Sequence, residues 1–196
     1  MVWAMILGAG ESKRMGKSKL LLPFGNKAII ETVIANVSSS KADETLVVLG
    51  SGWEKIEKKI KKLPVKITVN PDFKKGMLSS VLCGLKALPE DAQAFLVLLG
   101  DQPAVSTEVI NEIIDAFKRT KKGIVLPIHK NDRGHPVLID MKYRDEVKRL
   151  SPEVGLRGLV YNHPEDILEV KVKTSSILQD IDNPEDYKKE LIKNKT

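Results

Sequence analysis

The chain has one cysteine, few aromatic residues and no long apolar run, and each scarcity excludes a class of protein. A single cysteine, Cys83, in 196 residues allows neither an intrachain disulfide nor a cysteine-ligated zinc cluster. Aromatic residues make up only 5%, which leaves few rings to stack on nucleic-acid bases. No apolar run approaches the ~20 residues of a membrane-spanning helix, and the apolar start lacks the flanks of a leader peptide. We therefore expect a cytoplasmic protein that binds neither a membrane nor nucleic acid.

The positive charge of the chain does not by itself indicate a nucleic-acid partner. The formal net charge is +6 and the sequence pI is about 9.2. In the stretch 54–62, lysines alternate with glutamates and isoleucines, which is typical of a solvated helix face. An amphipathic helix therefore explains these lysines without a nucleic-acid-binding patch.

Strand-like and helix-like patterns alternate along the whole chain. The run 94–99 is continuously apolar, as in a parallel strand that is buried on both faces. Predicted strands are 2–7, 45–49, 65–69, 94–99, 124–127, 136–139 and 167–172, and predicted helices are 27–38, 53–62, 78–88, 109–118, 143–150, 156–161 and 184–193. This alternation predicts a three-layer α/β/α fold of Rossmann-like type with a mostly parallel central sheet, in a single domain over residues 1–196.

Four loops each follow a predicted strand and contain most of the candidate binding residues. They span residues 8–19, 50–52, 70–80 and 100–103. Ligands of open parallel sheets bind beyond the carboxyl ends of the strands, where such loops meet. We therefore expect these loops to gather at one edge of the sheet and to form the binding site.

The first of these loops has the composition of a phosphate-binding loop. Its glycines, a serine and several basic residues are Gly8, Gly10, Gly16, Ser12, Arg14, Lys17 and Lys19. Glycines let the backbone approach a ligand, and free N–H groups with basic side chains hold phosphate oxygens. The spacing is one residue too long for a Walker A loop, and Lys13 occupies the place of the third glycine of a dinucleotide fingerprint. The loop therefore predicts a nucleoside triphosphate site of another type.

Carboxylates at two places in the chain are candidates for binding a divalent cation beside this loop. Asp101 lies just after the apolar run 94–99, separated from it only by Gly100, and a carboxylate in such a place needs a partner. Mg²⁺ bound to phosphates is one such partner, and capping of a turn or of the next helix is the structural alternative. Asp180 and Asp182 are two residues apart, so on an extended segment they face opposite ways. We expect Asp182 to complete the cation site, with capping of the last helix as its alternative role.

The first loop closely resembles the signature loop of the nucleotidyltransferases, L-A-[AG]-G-x-S-x-R-M-G-x-x-K, with Gly8 in the place of the usual alanine. Further segments that match the family are 70–85, 100–103, 133–137, 155–159 and 180–187, the last with Asn183 where threonine is usual. Together they resemble the molybdenum cofactor cytidylyltransferases, the MocA-like branch of the nucleotidyltransferases. The guanylyltransferase branch has a second glycine in the place of Ala9 and an acidic residue in the place of Ser18. The resemblance therefore favours CTP over GTP.

This resemblance implies transfer of CMP from CTP to a phosphorylated acceptor, molybdopterin, with release of pyrophosphate and with Mg²⁺ as cofactor. Arg14, Lys19 and Asp101 would be catalytic, and Asp101 and Asp182 would bind the metal. The residues implied to bind the nucleotide are Leu7, Gly8, Ala9, Gly10, Ser12, Arg14, Lys19, Asn70, Gly76, Ser79, Ser80 and Asp101. Those implied to bind the acceptor are Gln102, Arg133, His135 and Arg157. A molybdenum enzyme would be the client that receives the product.

The sequence is also compatible with other residue roles and other functions. His135 has a structural role before Pro136 as its alternative, and Arg157 could instead bridge loops. The alternative functions are a guanylyltransferase of the same cofactor pathway, a sugar-phosphate nucleotidyltransferase, and a non-enzymatic carrier or chaperone that retains the fold. A carrier would tolerate the loss of Lys19 or Asp101, and this chain has both.

Overall fold

A computed structural model describes residues 1–193 and contains one eight-stranded sheet and a separate two-stranded hairpin. The strands are β1 (Val2–Gly8), β2 (Pro23–Phe24), β3 (Lys27–Ala28), β4 (Glu44–Leu49), β5 (Lys66–Val69), β6 (Ala94–Leu99), β7 (Ile124–His129), β8 (Asp132–Arg133), β9 (Val137–Asp140) and β10 (Ile167–Lys171). The helices are α1 (Ile29–Ser38), α2 (Trp53–Ile60), α3 (Met77–Ala87), α4 (Thr107–Thr120), α5 (Arg144–Arg149), α6 (Arg157–Asn162) and α7 (Pro184–Lys193). The chain thus alternates between strands and helices along its described length.

The sheet is mostly parallel, and this confirms the predicted fold class. Its strand order is β10-β7-β9-β6-β1-β4-β5, with β8 added to β7. β1 pairs in parallel with both β4 and β6, β5 pairs in parallel with β4, and β10 pairs in parallel with β7. β9 runs antiparallel between β6 and β7. In this register Leu7 lies opposite Val48 and Leu99, so three central strands end at the same edge.

Two apolar cores lie on opposite faces of the sheet. Alternate residues of β1 point into them: Ile6 into the core with α1 and α4, and Met5 into the core with α3, α5 and α6. Both side chains are fully buried. Burial on both faces explains why the central strands read as continuous apolar runs. No helix within residues 1–193 is both long and apolar enough to cross a membrane.

Local pairing shifts several boundaries from those predicted. The predicted helix 27–38 begins only at Ile29, because Lys27–Ala28 pairs with Pro23–Phe24 as a hairpin. Glu31 accepts a 2.7 Å hydrogen bond from the N–H of Ala28 and so caps the helix from its first turn. The predicted strand 136–139 is present as β9, but its antiparallel direction is set by the excursion through β8. These shifts follow from contacts between segments, which hydrophobic periodicity does not encode.

Candidate active site

The loop after β1 is held in shape by two buried apolar residues and one serine. Met15 and Leu20 are buried in the core. Ser12 has a left-handed backbone conformation (φ 52°), and its Oγ accepts a 3.2 Å hydrogen bond from the N–H of Lys19. The apolar anchors leave the Arg14 and Lys19 side chains to line a cleft.

Lys19 stands between two aspartates that come from distant parts of the chain. Its Nζ lies 2.5 Å from Asp101 Oδ2 and 3.0 Å from Asp182 Oδ1. Arg14 contacts the other carboxylate oxygen of Asp182 at 2.8 Å. The Lys19 side chain is only 12% exposed, whereas that of Arg14 is 68% exposed. The first loop, the end of β6 and the segment before α7 therefore meet in one cluster of two cations and two anions.

The aspartates keep Lys19 charged in spite of its burial. Burial by itself lowers the pKa of Lys19, but Asp101 and then Asp182 outweigh it and hold this pKa above its ordinary value. Burial also acts to raise the pKa of Asp182, but the hydrogen bond and charge of Lys19, followed by Arg14, hold it below its ordinary value. These two shifts favour the charged forms of Lys19 and Asp182, which suits the cluster to a highly charged ligand.

Two connected clefts open beside this cluster. Their volumes are about 360 and 420 Å³. Leu7, Gly10, Glu11 and Asp101 line both clefts, which therefore join at the end of β1. The first cleft is also lined by Gly8, Ser12, Lys13, Arg14, Lys19, Leu20 and Asp182, and the second by Ala9, Phe73, Lys74, Gly76, Met77, Ser80 and Leu99. The first is rich in charge, and the second combines apolar and polar groups.

The residues predicted to bind the nucleotide from the loop after β5 divide into two groups. Asn70 is buried, and its Nδ2 donates hydrogen bonds to the hydroxyls of Ser79 and Ser80 at 2.9 and 3.1 Å. Its Oδ1 accepts from the N–H of Asp72 at 2.9 Å. Asn70 and Ser79 thus shape the loop, while Gly76 and Ser80 line the second cleft.

The second cleft also depends on residues that the motifs did not single out. A Cβ on Gly50 would lie 2.7 Å from the carbonyl oxygen of Ala9 and from Cβ of Phe73, so only glycine lets these loops meet. Glu11, Lys74 and Met77 line the clefts although no role was predicted for them. Their position in the chain could have indicated them. Glu11, Lys74 and Met77 lie in the predicted loops 8–19 and 70–80, and Gly50 begins the loop 50–52.

Three of the four residues predicted to bind the acceptor line one pocket of about 450 Å³. Arg133 is paired with Glu169 at 2.6 Å. Arg157 is exposed and has no polar partner among residues 1–193. His135 lies at the inner side, where burial lowers its pKa to about 4 although the charge of Asp101 acts in the opposite direction. His135 is therefore neutral at pH 7.

The rim of this pocket carries much of the exposed apolar surface of the described chain. Tyr161 is 70% exposed, Met77 46% and Val154 44%, and all three line the pocket. Met77 also lines the second cleft, so the pocket adjoins that cleft. Three large apolar side chains around one opening are more than scattered surface residues and indicate a ligand with apolar faces.

Gln102, the fourth residue predicted to bind the acceptor, does not line this pocket. Its side chain faces the protein interior, because residues 177–180 cover it. The residue is 3% exposed, and its Nε2 donates a 2.6 Å hydrogen bond to Asp180 Oδ1. The structure therefore corrects its predicted placement.

Asp180 and Asp182 face different partners. Asp182 meets Lys19, whereas Asp180 accepts the hydrogen bond from Gln102. The helix α7 is capped by Asn183, whose Oδ1 accepts from the N–H groups of residues 185 and 186 at 2.9 and 3.0 Å. The capping role considered for Asp182 thus belongs to its neighbour, and the Asp182 carboxylate is left to the charged cluster.

The donor set at this cluster fits a hard divalent cation that also binds phosphate. Asp101 and Asp182 both contact one ammonium group, so their oxygens lie close enough to share a cation. Within residues 1–193 no group of three or more His, Cys, Asp or Glu could hold a metal ion. Mg²⁺ is commonly held by one or two carboxylates, with phosphate oxygens and water completing its octahedron. The two aspartates are thus suited to a metal that arrives with a triphosphate.

Comparison with known proteins identifies the class to which this fold and site belong. Residues 4–167 match the MobA-like NTP transferase domain, and the chain belongs to this family. The predicted family is thereby confirmed, and the protein is placed among nucleotidyltransferases.

Two relatives match along nearly their whole length. The molybdenum cofactor cytidylyltransferase of Escherichia coli (strain K12) is 28% identical over 183 residues, which cover 93% of this chain and 92% of that protein. The nicotine blue oxidoreductase of Paenarthrobacter nicotinovorans is 27% identical over 191 residues, which cover 94% and 93%.

Solved structures share the fold. Rv0371c from Mycobacterium tuberculosis H37Rv superposes with a TM-score of 0.88 at 24% identity and covers 97% of each chain. A structure of Rv0371c in complex with manganese gives a TM-score of 0.84 at 22% identity and covers 97% of this chain and 98% of that one.

Proposed function

We propose that this chain is a cytidylyltransferase that uses Mg²⁺ to transfer CMP from CTP to molybdopterin, a phosphorylated pterin, with release of pyrophosphate. The observation that carries the proposal is the Lys19 ammonium held between Asp101 and Asp182 beside the glycine loop and its cleft. These groups are the ones that a metal-bound triphosphate requires. The similarity to the Escherichia coli enzyme supports this choice of nucleotide and acceptor.

The proposed reaction needs no covalent intermediate on the protein. An oxygen of the acceptor phosphate attacks the α-phosphorus of CTP and forms a new P–O bond. The bond from the α-phosphorus to the oxygen that bridges it to the β-phosphorus breaks, and pyrophosphate leaves with that electron pair. The protein contributes positioning and charge neutralisation, which its charged cluster can supply.

Each charged residue of the cluster has its own proposed role. Lys19, which is nearly buried, would contact the α-phosphate and stabilise the charge that develops there. Arg14, which is largely exposed, would bind the β- and γ-phosphates with its two-pronged guanidinium. Asp101 and Asp182 would hold Mg²⁺, which when bound neutralises and aligns the phosphates. Lys19 would exchange its carboxylate partners for phosphate as the nucleotide binds.

The nucleotide base and ribose would occupy the second cleft. Residues 8–12 line the two clefts, and their backbone N–H groups would bind the nucleotide along its length. Gly76 has φ 93°, a conformation that favours glycine, and it keeps the cleft open beside Ser80.

The pocket between β8 and α6 would bind the acceptor. Its apolar rim of Met77, Val154 and Tyr161 favours a flat heterocycle such as a pterin over a sugar phosphate. The unpaired guanidinium of Arg157 is available to an anionic group of the acceptor. The product would then pass to a molybdenum enzyme as its client.

Three residues of the loop 8–19 favour the proposed activity over two other activities. Ala9 and Ser18 favour CTP over GTP, and thus a cytidylyltransferase over a guanylyltransferase. Lys13 stands where a dinucleotide fingerprint has its third glycine, which favours nucleotidyl transfer over an oxidoreductase that binds a dinucleotide through that fingerprint.

A pyrophosphate-release assay tests the proposal. The purified protein is incubated with Mg²⁺ and each of the four NTPs, with molybdopterin, with a sugar 1-phosphate or with no acceptor. We expect release that requires molybdopterin and is fastest with CTP. Faster release with GTP would instead indicate a guanylyltransferase. Release with the sugar 1-phosphate but not with molybdopterin would indicate a sugar-phosphate nucleotidyltransferase. No release in any arm would contradict the proposal. A parallel redox assay with nicotinamide cofactors and quinone acceptors tests for oxidoreductase activity instead.

A further inference from the structure

Gln102 follows Asp101 directly but faces away from the clefts. Its backbone is fixed at the end of β6: its N–H donates to the carbonyl of Leu99, and its carbonyl accepts from the N–H of Val105, both at 3.3 Å. The side chain is 3% exposed. Nothing in the transfer reaction requires a buried amide at this place, so its role needs a separate explanation.

The side chain of Gln102 holds the segment that bears Asp182. We name this segment the strap and define it as residues 177–183. Gln102 Nε2 donates to Asp180 Oδ1 at 2.6 Å and to the carbonyl of Ile177 at 3.4 Å. The N–H of Ile181 donates to the carbonyl of Asp101 at 3.1 Å. Three hydrogen bonds thus connect the strap to the turn at the end of β6.

The strap is also packed against the turn before β9. The N–H of His135 donates to the carbonyl of Ile177 at 3.1 Å. A Cβ on Gly134 would lie 2.3 Å from that same carbonyl oxygen, so glycine is needed for this contact. The first half of the strap is therefore fixed from two sides, whereas Asp182 reaches past both turns to Lys19.

The orientation of the Gln102 amide follows from its partners. Both groups near Nε2 are acceptors, so the opposite orientation would place Oε1 against two oxygens. In the observed orientation, Oε1 has no hydrogen-bond partner within residues 1–193. A buried unpaired oxygen is costly, and it is accepted here together with the short hydrogen bond from Nε2 to the carboxyl group of Asp180. This arrangement is the opposite of a substrate-binding amide, which would turn its free group toward a cleft.

We propose that Gln102 is a positioning residue. It fixes the strap through Asp180, and the fixed strap presents Asp182 to Lys19 and to the metal-bound triphosphate. The inference rests on the role of Asp182 in the proposed function. The two aspartates then have different roles, since Asp180 holds the backbone and Asp182 faces the ligand.

Amide hydrogen exchange of the ligand-free protein tests the mechanical part of this inference without reference to activity. Gln102→Met removes the donor while keeping a similar volume, and Asp180→Asn keeps an acceptor for the same hydrogen bond. Leu178→Ala, on an exposed residue of the strap, is the matched control. We expect exchange in peptides covering 177–183 to quicken about ten-fold in Gln102→Met, since the hydrogen bonds to Asp180 and to the carbonyl of Ile177 are both lost. Exchange in Leu178→Ala should equal that in the unmodified protein, and exchange in Asp180→Asn should be close to the same value. Unchanged exchange in Gln102→Met would overturn the inference.

Manganese affinity and steady-state kinetics test the functional part. Mn²⁺ binding is followed by electron paramagnetic resonance with CTP present. We expect Gln102→Met to weaken Mn²⁺ binding about ten-fold and to lower kcat, while the KM for the acceptor stays within two-fold. A rise in the KM for the acceptor with unchanged Mn²⁺ affinity would show that Gln102 binds the acceptor, and it would overturn the positioning role. If the unmodified protein binds no Mn²⁺ with CTP, the proposed function fails, whereas the exchange experiment still decides whether Gln102 fixes the strap.

Discussion

The proposed nucleotide side and the proposed acceptor side of the site differ in how their charges are arranged. On the nucleotide side, Lys19 is nearly buried and every charge in its cluster has an opposite partner. On the acceptor side, Arg133 is tied to Glu169 and Arg157 has no polar partner within the described chain. The charges of the first arrangement are already paired with one another, whereas the second leaves the Arg157 charge and exposed apolar side chains for a ligand to contact.

This difference follows from which part of the site has its backbone fixed by the central strands. The charged cluster sits where β1 and β6 end, and the register of these strands fixes its backbone. The proposed acceptor pocket is lined largely by the β8–β9 excursion, the segment 152–156 and the short helix α6, which lie outside the central parallel strands. Family members with one common chemistry can therefore differ in acceptor, because the pocket can change without moving the cluster.

The largest expected effect comes from breaking the preformed cluster. Lys19→Met removes a cation that contacts both aspartates. We expect kcat for pyrophosphate release to fall about 10²- to 10³-fold, as when a preorganised group that stabilises transition-state charge is lost. Initial rates at saturating CTP and Mg²⁺ measure this. Lys17→Met is the matched control, because it removes a charge from the same loop that has no polar partner within residues 1–193. A rate for Lys19→Met within three-fold of the control would show that the cluster is not catalytic.

An intermediate effect should appear in the pH dependence of stability. The pKa of His135 is about 4 in the folded protein, mainly because of burial, against 6.5 when exposed. As pH falls below 6.5, the unfolded chain takes up this proton first, so the folded state loses stability until about pH 4. The loss can reach about 3 kcal/mol, at 1.36 kcal/mol for each pKa unit.

His135→Gln should lack this contribution. We expect the variant to lose about 1–3 kcal/mol less stability than the unmodified protein between pH 7 and pH 4. Urea unfolding at a series of pH values measures the free energy of unfolding for both proteins. Parallel curves would show that His135 is solvated, and that the pocket is more open at its inner side than the structure indicates.

The smallest effect distinguishes the two arginines of the acceptor pocket. Arg157→Met should raise the KM for the acceptor about ten-fold, since a free guanidinium loses a charge-assisted contact. Arg133→Met should raise it only about two-fold, because Glu169 already holds that guanidinium. The KM for CTP, measured in the same assays, should not change in either variant. A larger effect at Arg133, or a rise in the KM for CTP, would contradict the division of the site into two sides.

The sequence predicted the elements well where local pattern decides them. The run Ala94–Leu99 appears with its predicted bounds, because a strand buried on both faces has a continuous apolar signature. The loops after β1, β4, β5 and β6 meet at one edge, because parallel strands share a direction. The hairpin of β2 and β3 and the reversed direction of β9 were not predicted, since strand pairing depends on partners far along the chain.

For the site, the residue types on offer follow from the sequence alone: a glycine-rich basic loop, an aspartate after a buried strand and an acidic segment near the last helix. Only the tertiary structure decided their partners. It placed Asp182 against Lys19, Asp180 against Gln102 and the helix cap at Asn183. The physical reason is that composition and spacing fix the chemistry a segment can offer, whereas the direction of each side chain depends on the backbone that packs over it.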